Sequence, residues 1–160
     1  MTTVLQILAD GLLAAVAGTG FGAISNPPRI ALKYCGLIAA LGHMTRYCLI
    51  NLGGVHIVPA SLSGAFVVGL LAIICAKRVK CPPETFAFPA LLPMIPGIYA
   101  YKTVQAFLLA LTASGEEQFN HFLYICESNG IICSFVIIGM VVGLLIPIYI
   151  FKRISFSVTK

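Results

Sequence analysis

The chain has 160 residues, of which 59% are hydrophobic and only 9% charged. A soluble domain carries roughly 25% charged residues, so at a mean hydropathy of +1.01 too little polar surface exists to coat a soluble fold. Soluble enzymes, nucleic-acid-binding domains and disordered chains are excluded in spite of the net charge of +5, and an all-α integral membrane protein remains.

A crossing of the hydrocarbon takes about 20 apolar residues and must be helical, because lipid offers no partner to an unpaired backbone group. Five such stretches are expected, at about 4–24, 31–52, 57–76, 86–112 and 130–151, forming one transmembrane domain over 1–160. The first holds Asp10, roughly 10 Å below the outer end of its helix at ~1.5 Å per residue, and a small-residue ridge at Ala14, Gly18 and Gly22. Met1–Gln6 has no basic region of the kind that opens a secretory signal. The second span carries His43 and Arg46, with Arg46 at a depth similar to Asp10 and His43 near the midplane. The third repeats the small-residue ridge at Ser61, Ala65 and Gly69, and the fifth does so at Gly139 and Gly143. Such ridges let helices approach closely in lipid.

The fourth span is the unusual one. Pro89, Pro93, Pro96 and Gly97 fall within nine residues, and a run of this kind cannot continue as an undistorted helix. A break at Pro93–Gly97 is therefore expected close to the midplane, where unwound backbone survives only inside protein or beside a wet cavity. Before the fifth span, Phe119, Phe122, Leu123 and Cys126 repeat at i, i+3, i+4, i+7. A short interfacial helix is expected there, as an elbow between spans or as a lid.

Orientation follows from the basic residues. Arg29 and Lys33, then Lys77, Arg78 and Lys80, then Lys152, Arg153 and Lys160 fall on alternate connections, eight of the ten in the chain. The intervening connections hold none, and the one over 113–129 carries Glu116, Glu117 and Glu127. The expectation is a multi-pass protein of the cell (inner or plasma) membrane, with its N-terminus outside and its C-terminus cytoplasmic.

The chemistry lies in residues that are costly in lipid. Asp10 and Arg46 can pair across two helices, as a register-setting salt bridge or as part of substrate or proton handling. His43 is one turn from Arg46 and faces the same way; it suits a proton relay or a hydrogen-bonded core histidine. The half-helix starting near Gly97 would aim free amides at an anionic group, with Tyr99, Tyr101 and Lys102 adding polar tips; a kink without ligand is the plainer alternative. Six cysteines, at 35, 48, 75, 81, 126 and 133, show no zinc-like spacing, and those inside apolar runs read as small hydrophobes. No nucleophile–base pair, phosphate loop or metal motif is present, so neither an enzyme nor a metal or other cofactor is expected.

Several of these residues form a pattern. Asn26 and Pro28 end the first span; Ala31, Leu32, Lys33, Tyr34 and Cys35 open the second; Gly42, His43 and Arg46 follow; Pro93, Pro96, Gly97, Ile98, Ala100 and Tyr101 close the set. Over about Asp10 to Tyr101 the chain resembles the threonine/serine exporter (ThrE) family, and within it the small-subunit (YjjB-like) type of the two-component succinate exporters. The resemblance implies a secondary exporter of small carboxylates such as succinate, or of threonine and serine, driven by the proton gradient. It also implies a larger membrane subunit as partner, and makes Asp10, Asn26, His43, Arg46, Pro93, Pro96, Gly97 and Tyr101 candidates for the substrate or ion pathway; Tyr99, at an unspecified position of the pattern, is a candidate as a polar tip. Lys102 stands outside the family pattern and is a candidate on its charge alone. The rival reading is a structural membrane subunit that scaffolds a partner and contributes no pathway residue.

Overall fold

The structure is a computed structural model that describes residues 2–151, of Thr2 the backbone alone. The basic tail residues Lys152, Arg153 and Lys160, which helped to set the expected orientation, lie outside the described residues. Among these the fold is all-helical: α1 Thr2–Ile24, α2 Arg29–Asn51, α3 Ile57–Val79, α4 Glu84–Leu91, α5 Gly97–Leu111 and α6 Glu116–Ile150, with a single 3-10 turn at Leu92–Met94.

Local chemistry sets the ends. Asn26 adopts a left-handed conformation (φ 46°) just past α1, a role Asn tolerates, and Pro28 then caps α2 with φ −51°. Gly54, at φ 61°, turns the chain between α2 and α3, and the His56 ring accepts the Val58 amide at 3.4 Å to cap α3. Lys77 and Arg78 stand in the last turn of α3, where the helix dipole favours cations.

Cα packing divides the chain into two compact units, one of residues 1–94 with 139–160 and one of residues 95–138. In the first, α2 is the hub and packs on α1, α3 and α4. Its interfaces are made of small residues: Ala31, Cys35, Ala39, Ala60, Ala65 and Ala72 are all buried, around Phe86, Ile38, Met94 and Val68. The Tyr34 and Phe86 rings meet edge to face, centroids 6.3 Å apart. α2 and α3 approach closely where a Cβ on Gly64 would stand 2.9 Å from the Gly42 carbonyl oxygen and 2.7 Å from Met94 Cε. The end of α6 packs on α3 through Gly69, beside Leu144 and Pro147. Large side chains point outward instead: Leu5 is 70% and Ile98 70% exposed, and Leu12, Leu13, Phe107 and Leu111 are exposed with them. Small inside and large apolar outside is the distribution expected of helices solvated by lipid, where packing rather than water drives association.

α1, α3 and α6 are long and apolar enough to cross a membrane, and the pair 84–94 and 97–111 makes a fourth span if both pieces belong to one crossing. α2 has the length, at 23 residues, but Lys33, His43 and Arg46 dilute its apolar character. The short interfacial helix before the fifth span is not a separate element. Residues 116–150 form one helix of 35 residues, because nothing between them removes a backbone donor before Pro147. Asn129 is absorbed by donating to the Ile125 carbonyl at 2.8 Å.

Candidate functional site

Three helical segments of the first unit meet at one polar cluster. Asp10 comes from α1, His43 and Arg46 from consecutive turns of α2, and the carbonyls of Pro93 and Met94 from the 3-10 turn after α4. His43 Nδ1 lies 2.7 Å from Asp10 Oδ2, and His43 Nε2 lies 3.3 Å from the Pro93 oxygen. The Arg46 guanidinium donates from Nη1 to the Met94 oxygen at 2.5 Å. The His43 and Asp10 side chains are 21% and 24% exposed, so both are largely withdrawn from the surface.

The reason for this convergence is in the proline spacing. An unbroken helix would satisfy the Pro93 oxygen with the amide of Gly97, but that amide donates to the Ile95 oxygen at 2.8 Å. The Leu92 oxygen would look to residue 96, where proline has no N–H. The carbonyls at the end of the 84–94 segment are therefore left over, and they form the negative end of its dipole. Two basic side chains of α2, spaced i and i+3, are placed against them.

A cleft of about 170 Å³ opens beside the cluster, lined by Asp10, His43, Arg46, Tyr47, Ile50 and Asn51. That is below the ~300–1,000 Å³ of drug-sized sites; it suits a few waters at ~30 Å³ each or a very small polar solute. Tyr47 and Asn51 are not among the residues that the sequence singles out. The signal is present all the same: His43, Tyr47 and Asn51 recur every four residues, a polar stripe on one face of α2. Gln6, four residues before Asp10, extends the stripe on α1 by accepting from the Tyr47 hydroxyl at 3.4 Å.

The other sequence candidates fall elsewhere. Asn26 is exposed in the turn after α1, about 24 Å along the chain axis from Asp10 at 1.5 Å per residue, and its conformation explains its residue type. Pro96 caps α5, and Gly97 opens it in open space, where an added Cβ would meet nothing within 4 Å. In the second unit Tyr99 is half-buried and Tyr101 exposed. Lys102 lines a separate cleft of about 360 Å³ between α5 and α6, with Gln105, Phe122, Ile125 and Asn129. Among the described residues no group of three or more His, Cys, Asp or Glu could hold a metal ion.

The model of the threonine/serine exporter family, ThrE, matches residues 10–150. The chain belongs to this family. The match runs through α6, well beyond the stretch ending at Tyr101 where the motif resemblance lay. An uncharacterised protein of Haemophilus influenzae (strain Rd) is 36% identical over 155 residues, covering 93% of this chain and 49% of the relative. The chain thus spans about half the length of that relative. No solved structure matches it. Membership makes the protein a transporter-family membrane protein, and the polar cluster lies within the family's matched region from its first residue, Asp10, onward.

Proposed function

We propose that this ThrE-family chain is one half of a secondary exporter that carries small carboxylate-bearing solutes, succinate or threonine and serine, out of the cytoplasm. The observation that carries the reading is the meeting of Asp10, His43 and Arg46 with the carbonyls at a proline-broken helix inside an otherwise apolar bundle. Ionisable groups are expensive in lipid and concentrate on solute and proton pathways. A guanidinium carries five N–H donors in a fork that suits a carboxylate, so a solute entering the cleft would meet Arg46. The half-length match to the Haemophilus relative supports a second membrane half, which in this reading is the larger subunit.

In this reading the chain crosses the membrane five times, α4 and α5 being two pieces of one broken crossing, with the N-terminus outside and the C-terminus in the cytoplasm. The basic residues at 29, 33, 77, 78 and 80 support that orientation. The test is efflux of labelled succinate and serine from cells lacking their own exporters, with the chain expressed alone and then with a larger family subunit. Efflux needing both chains is the expected result, and the preferred label names the cargo. Assembly of both chains without efflux of either label would reject the reading.

One observation favours a second role. His43 and Arg46 both lie against backbone carbonyls, which is what a scaffolding subunit would need to hold its broken helix. In that case substitutions at both positions would lower abundance and subunit assembly while turnover per assembled complex stayed unchanged.

A further inference from the structure

We propose that Asp10 and His43 together form a single proton-binding site, and that its occupancy latches the helix break at Pro93. The inference deepens the exporter reading and rests on it for its biological use, but not for its chemistry.

A carbonyl oxygen only accepts, so for His43 Nε2 to hydrogen-bond the Pro93 oxygen, 3.3 Å away, Nε2 must be the one that carries a hydrogen. The contact between His43 Nδ1 and Asp10 Oδ2, 2.7 Å, requires a second hydrogen between those atoms. A neutral imidazole has one N–H and an ionised carboxylate none. To make both bonds at once the pair needs one proton more than neutral histidine beside aspartate, whether that proton is assigned to the ring or to the carboxyl group. It belongs to the pair, as in any strongly coupled couple.

Release of the proton has a defined structural consequence. With one hydrogen left on the ring, one of the two contacts becomes lone pair against lone pair. The shorter contact involves a full carboxylate charge and is the stronger of the two, so the remaining hydrogen stays on Nδ1. Nε2 then faces the Pro93 oxygen with a lone pair, and that carbonyl, already without a helical donor because the Gly97 amide goes to Ile95, loses its partner. In lipid such a group must find another donor, so the segment at the break has to rearrange.

The surrounding charges fit this switch. Besides the pair, the titratable or charged side chains lining the cleft are Arg46 and Tyr47, both from α2; α3 and the 84–94 segment bring none to it. With Arg46, the loaded set sums to +1 and the unloaded set to zero. A carboxylate anion is thus complementary to the loaded set, whereas the unloaded set is neutral by itself, with Asp10 and Arg46 of opposite sign.

The experiment uses the full chain in lipid nanodiscs, with ¹⁵N-labelled histidine, titrated from about pH 5 to 9 across the range in which histidine sites switch. The His43 signal is identified against His56 and His121 by its loss in His43→Gln. Hydrogen exchange of residues 92–98 is followed alongside, relative to α3 in the same molecule. The expected result is loss of one proton from the pair, with relative exchange at 92–98 rising several-fold at the same midpoint. In Asp10→Asn the ring stays neutral and the relative exchange loses its pH dependence; Asp10→Glu, which keeps the acid, retains both. A neutral imidazole beside an ionised carboxylate throughout the range would overturn the proposal. So would a pH-dependent exchange that persists unchanged in His43→Gln. The wild-type titration needs no variant, and none of these readouts involves export, so absence of efflux would reject the exporter reading alone.

Discussion

The segments 84–111 and 116–150 both contain residues that sequence rules treat as helix breakers, yet only the first is broken. Pro96 withholds an amide from the preceding turn, and the chain interrupts its helix between Leu91 and Gly97. Asn129 and Gly130 sit in the middle of α6 without effect. One missing amide is tolerated, since Pro89 and Pro147 are carried inside α4 and α6; the interrupted stretch instead has Pro93 and Pro96 three residues apart with Gly97 after them. Glycine keeps its N–H and costs about 1 kcal/mol in helix propensity, a small sum beside an unsatisfied group in hydrocarbon, which costs several kcal/mol. An interrupted helix end thus calls for donors from elsewhere, and here Arg46 of α2 supplies one to the Met94 carbonyl.

The comparison can be tested from its strongest point downward. Arg46→Ala removes the donor to the Met94 carbonyl; a hydrogen bond to a charged group is worth about 1.5–3 kcal/mol, so export by the assembled complex should fall by roughly 10- to 100-fold. Normal efflux from that variant would remove Arg46 from the site. Next, Gly64→Val forces a side chain against the Gly42 carbonyl and Met94 beside the break; a destabilisation of about 1–3 kcal/mol is expected for overpacking of this kind. Thermal unfolding in detergent would read it as a lower midpoint. On the unbroken side, Gly130→Ala places its Cβ at an ordinary 3.4 Å from Thr103 Cγ2, so α6 should gain up to about 1 kcal/mol in stability. A loss there would mean that Gly130 is needed as a hinge. Smallest of all, Lys102→Gln should leave export within about twofold, the range of an exposed surface change of up to ~0.5 kcal/mol, since Lys102 lines a different cleft. A large loss would promote it to the pathway.

Much of the fold is legible because its punctuation is covalent. Pro27-Pro28 and Gly53-Gly54 bracket α2, and the ends of the first three helices fall within a few residues of the expected spans. The interruption between Leu91 and Gly97 is legible for the same reason. The amphipathic pattern at Phe119–Cys126 misleads, because periodicity reports a face and carries no information about where a helix ends. For the site, depth arithmetic puts Asp10 level with Arg46 and His43 nearby, but it does not fix how each helix is rotated about its axis. Hence the hydrogen bond of Asp10 to His43 is visible only in three dimensions, and the carbonyls of Pro93 and Met94, being backbone, have no signature in residue type.

The length of α6 has a consequence for the membrane itself. At 35 residues and 1.5 Å per residue the helix is about 52 Å long, more than the ~40–45 Å of a bilayer with its headgroups. It must tilt or project, and each ångström of mismatch costs a fraction of a kcal/mol. Acyl-chain length therefore becomes a control on the inclination of one helix: thick, sterol-rich membranes let it stand upright, and thin ones lean it over or push its glutamate-bearing end into the water.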